Sequence, residues 1–555
     1  MFPKLAIVAV VAALSMVCSV ASASNRIVDA PTENLGTFLW DNRPSSEMTD
    51  AYIQDAIGRH DPFQIFFGLF RAIRDSHLKG ESARLESALS FLDFMIDEYE
   101  PAVRDGLGVR YRYGYAHNKI DPGWWSGMDG FSAPMTMYAA WEITGKERYR
   151  SAALATAKLA LQSPLDGGSV WRSEKGCWIS EYSWTGMSEE DEYHVLNGHL
   201  FGLHALLLLA NASQDKDLLE AYDCAARGTK TMADDFIRAD RKWTWYQSTP
   251  KVIIPVNYLL FESAEFESLF NLTGDPFYRE QVGLRRSLFA QEYPLALISG
   301  EKGFRVVAKA LGAPHPYLPD VYPYRIECEV LGQTVSADHR QMHYKNLDLS
   351  QRLVTSLQVP SRPDRCDYSI LRGDMTVKVF SQTEFPEVAD QPLTLDLKPE
   401  AQLDAVAIDG NTITISPEFK ASPNKETAAN DEARIVFDAP ADWQPGSLFA
   451  FIAQPDFNAA IAFLLVDSQG NTASRGYPML KADCENLIML APVGFENEGT
   501  IGGDRELKFR IFTQDLDSDK SIVLSDYALL SGPADVATYI AAHKDACYRQ
   551  NTLID

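Results

Sequence analysis

Thr144-Gly145-Lys146-Glu147-Arg148-Tyr149 returns in altered form as Thr273-Gly274-Asp275-Pro276-Phe277-Tyr278. In both, a turn-forming glycine precedes a charged residue and then an aromatic one, as at the start of a helix. Working outward, turn-like residues of this kind recur at Gly80, Gly145, Asn211 and Gly274, at intervals of 65, 66 and 63 residues. A regular interval of this length fits helical hairpins, each burying its inner face against its neighbours. The intervening sequence agrees. Leu85, Ala88, Leu89, Leu92, Ile96 and Tyr99 are spaced three and four apart, as are Leu196, Leu200, Leu203, Leu207 and Ala210. Such spacing makes one apolar helical stripe. The region to residue 295 is therefore expected to form an (α/α) toroid of helical hairpins, complete or incomplete.

Beyond residue 295 the period changes. Phe304 to Leu311, Tyr324 to Leu331, Leu353 to Val359, Tyr368 to Arg372 and Met375 to Phe380 are short β-branched or aromatic runs between Pro and Gly turns, the pattern of strands. A second such series begins with alternating Leu393, Leu395 and Leu397. It continues through Val406, Ile408, Ile413 and Ile415, with further strands expected at 434–437, 448–453, 461–466, 507–513 and 522–524. The expected fold class is multidomain α + β, the toroid (24–295) being followed by two antiparallel β-sandwich-like domains, a small one at 296–385 and an accessory one at 386–555.

Residues 1–23 read as a secretory signal. Lys4 precedes an apolar run from Leu5 to Val17, and Ala21-Ser22-Ala23 is a small-residue cleavage site. Secretion, or export to a periplasm, gives the cysteines a meaning. Loss of the signal removes Cys18 and leaves Cys177, Cys224, Cys328, Cys366, Cys484 and Cys547. Six thiols in an oxidising compartment fit three disulfides, with Cys328 and Cys366 a natural pair inside one β domain. No two of them have the short spacing of a zinc site. The formal charge of −25 argues against nucleic acid and anionic membranes as partners. A polyanionic substrate would need a local basic groove.

Hydrophobic residues are 46% and aromatic ones 11% of the chain, enough for several cores. Some of the aromatics gather between the helical stripes. Arg110-Tyr111-Arg112-Tyr113-Gly114-Tyr115 leads into Asp121-Pro122-Gly123-Trp124-Trp125-Ser126, and two more clusters follow, Trp178-Ile179-Ser180-Glu181-Tyr182 and Trp243-Thr244-Trp245-Tyr246. A single Trp is more often a core residue. Three clusters in inter-helix segments suit a cleft in which flat rings stack on sugars.

The string Gly123-Trp124-Trp125-Ser126-Gly127-Met128 is followed, 53 positions after Met128, by Glu181-Tyr182 and then by Val195-Leu196-Asn197-Gly198. This succession resembles the C-terminal catalytic domain of the heparosan glucuronyl C5-epimerases over about residues 85 to 290. The resemblance implies that tyrosines and an acidic residue carry the reaction. It maps the acidic pair onto Glu181 and Tyr182 and a further tyrosine onto Tyr246. The third family tyrosine is followed by His-x-x-His, whereas here Tyr258 is followed by Leu259-Leu260-Phe261-Glu262, so either Tyr258 or Phe261 holds that place. Extra residues, with an acidic run at Glu189 to Glu192, separate Tyr182 from Val195.

The chemistry explains these residue types. A uronate C5 hydrogen is acidic because the adjacent carboxylate takes up the developing charge, so a base must face C5 and cations or donors must face the carboxylate. Epimerisation then needs a proton source on the other ring face, and two tyrosines facing each other supply both. With an ordinary pKa of about 10, one of them needs positive charge nearby. Arg110, Arg112 and Lys119 are candidates for that charge and for binding the carboxylate. Tyr113, Trp124, Trp125 and Asn197 complete the expected substrate-binding set. Each arginine read singly is also an ordinary solvated charge.

The expected function is D-glucuronate to L-iduronate epimerisation in a heparosan-like acidic polysaccharide, with no cofactor and no metal, and with a homodimer allowed for. Loss of the C4 substituent before reprotonation would make the enzyme a lyase. Glycoside hydrolysis could use Glu181 with Asp121 or Asp129. A noncatalytic glycan-binding protein is the rival from another class, supported by the missing His-x-x-His. Asp515-x-Asp517-x-Asp519 begins like a calcium loop, but Lys520 replaces the turn glycine, which favours a solvated turn. There is no phosphate loop and no nucleophile elbow.

Overall fold

The computed structural model describes residues 26–30, 57–114, 120–309, 323–340, 354–372 and 375–385, with short internal gaps, and a series of strands and turns between 393 and 546. The expected signal segment lies outside the described residues. Among them, eight long helices pair as four consecutive hairpins. These are α1 (Pro62–Lys79) with α2 (Ser82–Arg104), α3 (Gly127–Thr144) with α4 (Glu147–Ala160), α5 (Leu196–Ser213) with α6 (Lys216–Met232), and α7 (Val256–Thr273) with α8 (Pro276–Glu292). The first members pack in chain order, α1 on α3, α3 on α5 and α5 on α7, while α4 touches both α2 and α6. Burial follows this layering. Most of α3 and α5 is buried on every side, whereas α2, α4 and α6 bury one stripe and expose the rest.

The repeat read from the sequence marks the turn inside each hairpin, with one correction. The left-handed residue that ends the first helix is Gly80 (φ 70°), Gly145 (φ 67°), Gln214 (φ 54°) and Gly274 (φ 68°). Asn211 is not a turn residue but lies within α5. At that hairpin a glutamine takes the conformation that glycine takes elsewhere, so no glycine flags it. Starts are encoded as well. Asp61 accepts the Gln64 N–H at 3.2 Å ahead of Pro62, and Ser126 accepts that of Met128 at 3.1 Å.

Because the turn within each hairpin is short, α1, α3, α5 and α7 run parallel, and their N-termini lie at one end. The described parts of the long return segments between hairpins, 105–126, 161–195 and 233–255, lead back to that end. Two of them contain β-hairpins where only inter-helix segments were expected: β1 (Val170–Ser173) with β2 (Gly176–Ile179), and β3 (Trp245–Ser248) with β4 (Lys251–Ile253). Strands of three and four residues are too short to show alternation. The Cys177–Cys224 disulfide ties β2 to α6.

The β region after α8 begins with two antiparallel sheets. One has the order β5 (Ala296–Gly300), β6 (Gly303–Lys309), β9 (Val354–Val359). The other has the order β11 (Met375–Gln382), β10 (Arg365–Arg372), β7 (Pro323–Val330), β8 (Gln333–Arg340). All but β5 and β8 were expected. β8 carries no apolar strand signal because it is an outer strand whose residues are largely exposed and polar. Cys328 and Cys366 sit opposite each other on β7 and β10 and form the anticipated disulfide. This sheet packs on the last helix, where Phe289 meets Tyr368 at 5.7 Å and Phe380 at 5.8 Å. The Gln382 side chain bonds both backbone groups of Leu295.

The later strands are antiparallel too. Lys520–Leu530 lies between Leu448–Pro455 and Thr412–Ile415, and Asp504–Ile511 lies between Ala459–Asp467 and Ala433–Asp438. Asn486–Pro492, which the sequence reading missed, joins the two groups by pairing with Leu448–Pro455 and with Thr472–Gly476. Cys484 is disulfide-bonded as well. Asp517 pairs with Lys520 at 2.9 Å, as in a solvated turn; Asp515 lies outside the described residues.

Candidate active site

Strand β2 delivers Ser180-Glu181-Tyr182 to the N-termini of α3 and α5, and backbone bonds on two sides fix this run. The Gly127 N–H donates to the Ser180 carbonyl at 2.8 Å, and Trp125 and Ser183 exchange N–H···O bonds at 2.8 and 2.9 Å. From α5, His199 Nδ1 accepts the Ile179 N–H at 2.9 Å. Its Nε2 therefore carries the proton and donates to Thr229 Oγ1 of α6 at 2.7 Å. Burial pushes the His199 pKa down to about 3, so the ring is neutral. Trp178 stacks on it at 3.9 Å.

Three side chains meet at the end of this scaffold. The phenol oxygens of Tyr182 and Tyr246 are 2.7 Å apart, and the Tyr246 hydroxyl donates to Glu181 Oε1 at 3.0 Å. All three residues are buried. Burial raises the Glu181 carboxyl to about 7, although hydrogen bonds from Tyr182, Tyr246 and the Gly198 backbone oppose the shift. Glu181 Oε2 is buried against the Gly198 backbone. A β-carbon on Gly198 would stand 2.3 Å from Oε2 and 2.6 Å from the Glu181 Cβ. The glycine of Val195-Leu196-Asn197-Gly198 is thus the vacancy into which Glu181 fits, at a helix start that has no side-chain cap.

Tyr258, on the first turn of α7, brings its ring 5.7 Å from that of Tyr246, edge to face. Phe261 instead packs on Phe201 of α5 at 4.6 Å. Glu262, next in sequence, turns away to Arg285 of α8 at 2.8 Å in a fully buried ion pair. Of Tyr258 and Phe261, Tyr258 is the residue whose ring meets Tyr246.

The remaining expected residues divide. Trp124 stacks on Tyr111 at 3.8 Å, within 3° of parallel, and meets Tyr182 at 5.5 Å. Trp125 is a buried scaffold residue whose indole N–H bonds the Gly168 carbonyl at 2.8 Å. Arg110 is half-buried, with an Nε that makes no hydrogen bond. Arg112 forms a surface ion pair with Glu98. Tyr113 is exposed and accepts the Trp124 indole N–H on its carbonyl. Asn197 is buried at the start of α5 with an unbonded Oδ1. Lys119 lies outside the described residues.

Sequence reasoning gave no role to Gly198 or His199 and considered Asp129 only as a hydrolase acid. Gly198 stood in the quoted motif, but only its neighbours in space explain it. Asp121 is exposed, whereas Asp129 is fully buried and accepts the Tyr111 hydroxyl at 2.5 Å. A separate cleft of about 590 Å³ opens beside Ser248, lined also by Lys175, Glu192, His194, Asp234 and Lys251. The tyrosines are not among its lining residues.

Tyr182, Tyr246 and a carboxyl that burial raises to about 7 are thus held together in one buried hydrogen-bonded unit near the starts of α3 and α5. The family comparison agrees with the motifs: residues 105–287 match the family model described as the D-glucuronyl C5-epimerase C-terminus, so the resemblance holds for that part of the chain. An uncharacterized protein of Methanocaldococcus jannaschii is 23% identical over 228 residues, 38% of this chain and 70% of that protein. Among solved structures, the unsaturated glucuronyl hydrolase of a Bacillus species is similar at 14% identity and a TM-score of 0.32, over 44% of this chain. The chain spans just under two thirds of that enzyme, 65%. A GH76 α-mannanase of Bacteroides thetaiotaomicron is similar at 13% identity and a TM-score of 0.28, over 46% of this chain and 73% of the mannanase.

Proposed function

We propose that the protein is an exported uronate C5-epimerase that converts D-glucuronate to L-iduronate units in a heparosan-like polysaccharide. The observation that carries the reading is the hydrogen-bonded unit Tyr182–Tyr246–Glu181, inside the region that matches the epimerase family. Two phenol oxygens 2.7 Å apart leave no room for a sugar ring between them. In this reading the pair acts from one face as a single base. The C5–H bond breaks, its proton passes to a phenolate oxygen, and the electron pair moves into the adjacent carboxylate as an enolate. Glu181, poised near neutrality, holds the proton that the phenol pair must give up to become basic.

Tyr258, edge-on to Tyr246, is the candidate donor for the opposite face, and its proton restores the C5–H bond with inverted configuration. Arg110 is the candidate partner of the substrate carboxylate, where charge accumulates. Electrons leave and return to the same carbon, so the step is redox-neutral. We assign residues 24–295 to catalysis and the domains at 296–385 and 386–555 to holding the glycan. The disulfides fit an oxidising compartment.

The test is proton NMR of heparosan incubated with the protein in D₂O, with ultraviolet absorbance followed for unsaturated ends. Deuterium at C5 with iduronate signals and flat absorbance is the expected result. Rising absorbance would make the enzyme a lyase with the same first step. No exchange on any uronate polymer, with the protein folded, would overturn the tyrosine assignments.

A further inference from the structure

Asp129 is a buried acid that the chemistry above does not use. It is the third residue of α3, with no exposed surface, and its Oδ1 makes no hydrogen bond. Its Oδ2 accepts the Tyr111 hydroxyl at 2.5 Å. The Tyr111 ring is stacked on Trp124 at 3.8 Å, and the Trp124 indole N–H is anchored on the Tyr113 carbonyl at 2.9 Å. The same indole meets Tyr182 at 5.5 Å. A continuous line of contacts therefore runs from Asp129 through Tyr111 and Trp124 to Tyr182.

Resting on the epimerase reading for its catalytic consequence, we propose that Asp129 is a positioning residue: by holding Tyr111 it fixes the Trp124 indole against which Tyr182 is aimed at Tyr246. The groups that face Asp129 are Asp61 ahead of α1, Tyr99 of α2, Tyr111, and Glu181 after β2. Burial, reinforced by the negative charges of Asp61 and Glu181, holds the Asp129 carboxyl well above the usual range, against the pull of the Tyr111 hydroxyl. An asparagine keeps a side-chain carbonyl oxygen to accept the Tyr111 hydroxyl. An alanine removes that acceptor.

The experiment compares Asp129→Asn, Asp129→Ala and Tyr111→Phe by steady-state C5 deuterium incorporation into heparosan. It also follows the Tyr182 resonance in ¹³Cζ-tyrosine spectra, assigned with Tyr182→Phe. Asp129→Ala and Tyr111→Phe are expected to lower kcat by about tenfold or more with KM nearly unchanged, and to shift the Tyr182 resonance. Asp129→Asn is expected to keep kcat within about threefold at neutral pH and to leave that resonance in place. An unmoved Tyr182 resonance in Tyr111→Phe, or Asp129→Asn as slow as Asp129→Ala, would overturn the proposal, the latter by placing the carboxyl in the chemistry itself. Should the native protein exchange no C5 hydrogen, the epimerase reading falls. The Tyr182 resonance then decides the positioning chain alone.

Discussion

Gly198 and Glu181 occupy each other's space: a methyl group on the helix residue would come within 2.3 Å of the carboxylate oxygen. Close approach of backbone to a buried acid sets the acid's position and brings it to the positive end of the α5 dipole. Gly198→Ala is therefore expected to displace Glu181. The cost is about 1–3 kcal/mol, as for other overpacked cores, with a loss of C5 exchange larger than the stability change would produce. Urea unfolding beside deuterium incorporation checks both.

Removing one phenol at a time tests the paired base. Tyr182→Phe and Tyr246→Phe each delete a member of the 2.7 Å contact and should lower exchange by about 10²–10⁴-fold, the range for a lost acid/base group. Stability should change by only about 1 kcal/mol per hydrogen bond. A variant that kept native exchange would exclude its tyrosine from the chemistry.

Glu181→Gln tests the pH dependence. The folded-state carboxyl is raised from 4.5 to about 7, so native exchange should fall as pH drops below about 7, and the glutamine variant should lack that limb. The stability sign is the reverse of a salt-bridged acid. Burial penalises the ionised form, so the native protein should lose up to about 3 kcal/mol relative to Glu181→Gln as pH rises from 4.5 to 7. Denaturant midpoints of the two proteins across that window measure the difference.

His199 works in the opposite window. Its folded pKa is lowered from 6.5 to about 3, so the stability it contributes is present above 6.5 and lost as pH falls toward 3, at about 1.4 kcal/mol per pH unit. His199→Gln should be less stable than the native protein at neutral pH, since the bonds to Ile179 and Thr229 are made by the imidazole. Its stability should decline less steeply with acid. Parallel pH dependences of the two proteins would contradict the neutral, buried imidazole.

The sequence by itself determined whatever is local. Apolar spacing fixed the helices, and left-handed glycines marked the hairpin turns at Gly80, Gly145 and Gly274, because backbone sterics act within a few residues. Where glutamine took that conformation at Gln214, the signal vanished and the turn was misplaced at Asn211. The residues of the buried hydrogen-bonded unit, Glu181, Tyr182 and Tyr246, were legible too, as was the Cys328–Cys366 pair. Only the tertiary structure decided which of them meet. Tyr182 and Tyr246 are separated by 64 positions yet share a hydrogen bond, and Tyr258 rather than Phe261 reaches that pair. Adjacent Trp124 and Trp125 part, one facing Tyr182 and one buried in the scaffold, while Arg112 is taken up by Glu98. Such outcomes depend on how separate helical hairpins pack and where their return segments converge, and on the burial that follows, which no local spacing encodes.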